Sequence, residues 1–286
     1  QLTAKVEGQV ERGILLPRPA LPPTRATWEG IRAAAPAALA GAVVQEFAEC
    51  LAGLVYVNAI KPGAPAIFGT WCFVSDLRTG AMSGGSPEQA LLSAAAGQMG
   101  LFYDLTLGTA SGITDSKLPD AQAGAEKAYN HAIVGNSGAN LIYESAGMHA
   151  SLLGFCLESL IIDNDIIGAV QRTIRSIEVT DESISLETIR QTCLEGPGHY
   201  LGSDQTLQLM QRDYVYPEVG DRMSPKEWFE KGKPTLLDRA MRRKNDVLAN
   251  HFPSHVGQAV DDAIRSKFPV RLPRDSMRPR KTQAAE

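Results

Sequence analysis

Three stretches of the chain concentrate side chains able to act on a small molecule. Gly69-Thr70-Trp71-Cys72-Phe73-Val74-Ser75-Asp76-Leu77-Arg78-Thr79-Gly80 sets aromatic faces beside a carboxylate and a guanidinium. Those are the groups that hold an organic cation against a ring face and a carboxylate in a two-pronged ion pair. The same residues also read as packing, with Trp71 and Phe73 under the loop and Asp76 paired to Arg78. Thr114-Asp115-Ser116-Lys117-Leu118-Pro119-Asp120 crowds hydrogen-bonding groups at a strand exit, where Asp115 is an active-site candidate and Asp120 a helix N-cap. Tyr143 and Glu144 end an apolar run, and a carboxylate buried there needs a partner; His149 follows, as a hydrogen-bonded loop residue or a base.

Other chemistries lack their motifs. There is no Gly-x-Ser-x-Gly elbow, no Cys with a nearby His, and no HxxxH, HxC or CxxC spacing, so no bound metal is predicted. Asp163-Asn164-Asp165 reads as the polar face of an Ile-rich helix. With 28 Lys+Arg against 32 Asp+Glu the net charge is −4, which gives no electrostatic footprint for nucleic acid. Cys50, Cys72, Cys156 and Cys193 lie far apart, as in a reducing compartment, and the cytoplasm is the expected location. The Pro-rich N-terminal text has no signal-peptide core, and no uninterrupted apolar run reaches the ~20 residues of a membrane span, so neither nucleic acid nor membrane is expected as a partner.

Positioning the three loops requires strands that end where they begin. Residues 1–36 are expected as an arm or linker, carrying Pro17, Pro19, Pro22, Pro23 and Pro36. Four strand-loop-helix units follow: Ala37 to Gly41 leading into a helix over 43–60, then Ala66 to Gly69, Thr106 to Gly112 and Asn140 to Glu144. Ser86-Pro87-Glu88 opens the second helix and a third spans Ala121 to Val134. The strand starts are roughly 30 to 40 residues apart, near the ~31 per unit of a (β/α)8 barrel. The fold class is therefore α/β, with barrel units over 37–177, a helical extension over 178–268 and a flexible tail over 269–286.

Taken in order, Val74 to Gly80, Ser86-Pro87-Glu88, Thr114 to Gly124, Glu144-Ser145-Ala146-Gly147-Met148, Asp163-Asn164-Asp165 and Gly198-His199-Tyr200-Leu201-Gly202 through Arg222 and Trp228 resemble the trimethylamine methyltransferase superfamily. The resemblance implies a (β/α)8 barrel that moves a methyl group from a methylated amine to the cobalt of a corrinoid carried by a partner protein. It also implies that this chain corresponds to the C-terminal four units of a longer barrel. The start at Gln1 accords with a processed or truncated chain. Homo-oligomerisation is expected, since a half barrel exposes sheet edges. No pyrrolysine is present, which points to the branch acting on quaternary amines such as glycine betaine. On that reading Asp115 and Glu144 are the catalytic candidates. Phe68, Trp71, Phe73, Tyr103 and Tyr143 form an aromatic pocket, Arg78 clamps a substrate carboxylate, and Asp76 and His149 complete the contacts. Trimethylamine as substrate, a folate-type methyl carrier, and an inactive fragment or assembly module are the alternatives.

Overall fold

The computed structural model describes residues 35–196, 198–253 and 255–277, so the N-terminal arm lies outside the described residues up to residue 34. Two compact units divide between Gly220 and Asp221.

The first unit opens with α1 (Leu39–Ile60), not with a strand. The strand expected over 37–41 is therefore corrected. Ala38 is the extended N-cap, and Leu39, Ala40 and Gly41 open the helix instead of pairing as a strand. Three short parallel strands remain, β1 (Phe68–Thr70), β2 (Leu107–Ala110) and β3 (Leu141–Tyr143), in that order, with Phe68 beside Leu107 and Ala110 beside Tyr143. They alternate with α2 (Pro87–Phe102) and α3 (Ala121–Asn136). The architecture is α/β with a parallel sheet.

Both connecting helices begin where the sequence places them. The Ser86 hydroxyl accepts the Gln89 amide at 3.2 Å with Pro87 in the first turn, and the Asp120 carboxylate accepts the Ala123 amide at 3.0 Å. Each bond satisfies an amide that the helix start leaves unpaired. The core collects Phe47 and Cys50 of α1, Phe68, Ala96 of α2 and Leu107. Burial of Phe47, Cys50 and Val57 puts one face of α1 inward, while Val44, Val55 and Tyr56 stay exposed. Window hydropathy makes this 22-residue helix long and apolar enough to cross a membrane, the one such helix among the described residues. Its apolar run is not uninterrupted, since Glu46 and Glu49 fall within it.

After β3 the chain forms a two-residue hairpin, β4 (Met148–His149) with β5 (Gly154–Phe155), and enters α4 (Leu157–Ile174). Short helices α5 (Asp181–Ile184), α6 (Leu186–Arg190) and α7 (Asp204–Arg212) follow. Arg172 Nε donates to the Asp213 carbonyl at 2.6 Å, and the Asp165 carboxylate accepts the amides of Glu218, Val219 and Gly220 at 2.8 Å each, tying this stretch back to α4.

The second unit comprises α8 (Pro225–Glu230), α9 (Leu236–Asn250) and α10 (Gln258–Lys267). Ser224 and Thr235 cap the first two. Part of the expected flexible tail is held, because Arg274 Nε reaches Asp261 at 2.6 Å.

Candidate active site

In a parallel sheet the loops leaving the strand carboxyl ends lie together, and here side chains tie three of them. The Asp115 carboxylate accepts the Ser83 hydroxyl at 2.6 Å and the Gly85 amide at 3.1 Å, and the Ser151 hydroxyl contacts it as well. Ser151 N donates to the Thr114 carbonyl at 2.9 Å and Ala150 N to the Ser116 carbonyl at 2.9 Å. Glu126, in the second turn of α3, accepts the Asp115 amide at 2.8 Å and the Thr114 hydroxyl. A Cβ on Gly85 would run into that Glu126 carboxylate and come within 2.8 Å of the Asp115 nitrogen, so this crossing requires glycine.

An aromatic cluster stands at the exit of β1. Because side chains alternate along each strand, Gly69, Gly108, Ala110 and Tyr143 share one sheet face, opposite Phe68 and Leu107. The missing side chain of Gly108 leaves room for the Tyr143 ring; a Cβ there would approach Tyr143 Cε1 to 2.9 Å. The Tyr143 hydroxyl crosses to the Thr70 carbonyl at 2.6 Å and lies 3.1 Å from that of Gly108. Trp71 stacks on Tyr143 with centroids 5.2 Å apart and planes 19° apart, and Phe73 meets Trp71 edge-on at 5.3 Å. The indole is 37% exposed, so this member of the cluster meets solvent. Burial holds the Tyr143 phenol protonated far above its ordinary range, with the charge of Glu46 adding to the effect.

Glu144 follows Tyr143 with φ of 60°, a left-handed conformation that a glutamate adopts at a cost. Its carboxylate has no hydrogen bond or ion pair among the described residues, in contrast to Asp115. Backbone strain continues nearby, where Ala150, Ser151 and Leu152 all have positive φ.

Five of the residues named from sequence stand elsewhere. Phe68 is buried in the core against Phe47, at 5.1 Å. Tyr103 caps the end of α2 ahead of β2, at the amino end of the strands, where it stacks on Phe47. Asp76 and Arg78 pair with each other at 2.6 Å, and Asp76 also accepts the Arg78 and Thr79 amides, so the guanidinium and those amides hold this carboxyl well below its usual range. Arg78 is 88% exposed, and Asp76 is its ion-pair partner among the described residues. His149 is buried, its ring nitrogens on the Ser116 carbonyl at 3.2 Å and the Ser159 hydroxyl at 2.6 Å.

Beneath the third loop lies a pair that sequence reading missed. Lys127 Nζ meets Asp163 Oδ2 at 2.5 Å with both side chains at most 2% exposed, and the same oxygen accepts the Gly147 amide at 2.7 Å. Asp163 is thus not the polar helix face that its Asp-Asn-Asp setting suggested. His131, also buried, bonds the Ser145 carbonyl at 2.9 Å. Gly112, with φ of 84°, makes room for that ring, since a Cβ would collide with it and come within 2.7 Å of Ser145 O. Gly112→Ala is expected to cost about 2–3 kcal/mol, from the left-handed backbone plus overpacking, read as a lowered urea midpoint.

Desolvation pushes the pKa of His131 and of His149 below the ordinary value. The unfolded chain therefore takes up protons that the fold excludes, and stability falls as pH drops through about 6.5, by up to about 1.4 kcal/mol per pH unit for each histidine. Urea midpoints between about pH 7.5 and pH 5.5 should decline accordingly; a flat profile would contradict buried neutral rings.

The family model described as trimethylamine methyltransferase (MTTB) matches residues 26–272. The chain belongs to the trimethylamine methyltransferase family. It is 31% identical to the glycine betaine methyltransferase of Desulfitobacterium hafniense (strain Y51) over 232 residues, 81% of this chain and 48% of that protein. It is 37% identical to trimethylamine methyltransferase MttB of Methanosarcina thermophila over 217 residues, 76% of this chain and 44% of that protein. This family member thus spans about half the length of the curated relatives it matches.

Proposed function

We propose that this family member takes part in methyl transfer from a quaternary amine, glycine betaine being the leading candidate, and that Trp71, Phe73, Tyr143 and Glu144 receive the substituted ammonium group. The observation that carries this reading is the open Trp71–Tyr143 stack, with Phe73 at its edge and the partner-free Glu144 next in the chain. A quaternary nitrogen has neither proton nor lone pair, so no general base is needed. Ring faces attract the cation, a carboxylate balances its charge, and a fixed pose presents one methyl group outward. The chemistry of these groups suits the holding of an amine.

The corrinoid implied by the family resemblance would reside on a partner protein and supply the methyl acceptor. In this reading the chain contributes the amine pocket, built from the Trp71, Phe73 and Tyr143 rings. Asp115 serves as the knot that holds the three loops under that pocket. The parallel sheet is read as part of a (β/α)8 barrel, and the four free thiols accord with a cytoplasmic setting.

Glu144→Gln removes the charge while keeping the shape. It is expected to weaken glycine betaine binding by about tenfold in calorimetric titration with little change in thermal midpoint; unchanged affinity would remove Glu144 from the pocket.

A further inference from the structure

The aromatic segment leaving β1 is held by side chains where a strand or helix would use backbone. Cys50 Sγ bonds the Gly69 carbonyl at 3.4 Å, the Tyr143 hydroxyl bonds that of Thr70, Gln89 bonds the Cys72 carbonyl and receives the Val74 amide at 3.1 Å. At the centre is Glu46 of α1. One carboxylate oxygen accepts the Trp71 amide at 2.6 Å and the other meets the Cys72 thiol. A negative group is therefore fixed against the backbone of Trp71, on the amide that orients its ring.

We propose that Glu46 is a specificity-determining residue of the aromatic cluster: it orients Trp71 and supplies counter-charge that makes the cluster prefer a cationic ligand over an uncharged one of the same shape. This deepens the reading of the cluster as an ammonium pocket and rests on it. Three observations converge. Both carboxylate oxygens bond within the segment that carries Trp71 and Phe73, leaving the acid no freedom to swing away. No lysine or arginine bonds it, so its charge is not cancelled within the protein by an ion pair among the described residues. Its field is felt at the Tyr143 hydroxyl, on the ring that stacks with Trp71. Burial raises the Glu46 pKa, because desolvation disfavours its charged form, while the bonds from Trp71 and Cys72 work the other way. Sequence reading missed Glu46 because it lies on a helix, 25 residues before its partner.

The test compares choline with dimethylbutanol, its uncharged isostere in which carbon replaces the nitrogen, by titration into the 286-residue chain. The unaltered protein is expected to favour choline by about tenfold or more. Glu46→Gln, which keeps the acceptor for the Trp71 amide, should compress that ratio to below about threefold while the dimethylbutanol affinity stays within about twofold. Should Glu46→Gln fail to fold by circular dichroism, Glu46→Asp withdraws the charge by one methylene and is expected to reduce the ratio severalfold. An unchanged ratio in a folded variant overturns the role of Glu46 and leaves the pocket standing. If the unaltered protein binds neither ligand, the pocket reading itself falls, and the role of Glu46 with it.

Discussion

Asp163→Ala is expected to destabilise the first unit by about 3–5 kcal/mol, the cost of leaving a buried charge without its partner. The Lys127 ammonium is 1% exposed and within 2.5 Å of Asp163, so solvent can replace the lost carboxylate only by opening the packing between α3 and α4. The Gly147 amide loses its acceptor as well, adding the penalty of an unsatisfied buried donor. A paired replacement, Lys127→Met with Asp163→Leu, removes both charges and should recover much of the loss, because apolar groups of similar volume substitute for a buried pair at little cost. Guanidinium titration distinguishes the outcomes. A loss below about 1 kcal/mol for the single variant would show that the ammonium finds solvent, contrary to the burial described.

Trp71→Ala has the largest expected effect on function. The indole offers the broadest ring face in the cluster and links Phe73 to Tyr143, so its removal takes away both a cation–π surface and the ordering of its neighbours. Such contacts are worth about 1–2 kcal/mol where partly desolvated, which corresponds to roughly five- to thirtyfold in affinity for a quaternary ammonium. Stability should change little, because the ring is 37% exposed and lies outside the core of Phe47, Phe68 and Leu107. Trp71→Phe keeps a smaller face and should fall between the two. Equal affinity across all three proteins would place the ligand elsewhere.

Features encoded by neighbours in sequence were legible. Ser86 followed by Pro87, Asp120 ahead of Ala123, and Ser224 ahead of Pro225 mark helix starts because cap and amide are three residues apart. The three strand exits were legible for the same reason: an apolar run gives way to polar text. The first predicted strand failed because a run of small residues carries no period, and its second half, from Leu39, begins α1.

The site was legible in part. Trp71, Phe73 and Tyr143 come together because the parallel register places the exits of β1 and β3 on either side of β2. Whether a given acid is free or engaged depends on partners far along the chain. Asp115 reaches Ser83, 32 residues away, and Lys127 reaches Asp163, 36 residues away. Neither spacing leaves a sequence signal. Glu46, Gln89 and Glu126 sit on helices in ordinary polar positions, and only the glycines beside them hint at crowding: Gly85 against Glu126 and Gly108 against Tyr143. Arg78 illustrates the converse, since its ion pair with Asp76, two residues away, was legible from the sequence.

The central claim is that the Trp71, Phe73 and Tyr143 cluster holds a substituted ammonium group. Calorimetric titration of glycine betaine, carnitine, proline betaine and trimethylamine into the folded chain, repeated with Trp71→Ala, tests it most directly. The account predicts saturable binding of at least one quaternary amine, weakened about tenfold or more by the substitution. A folded chain that binds none of the four, or binds one with the same affinity after Trp71 is removed, would contradict it.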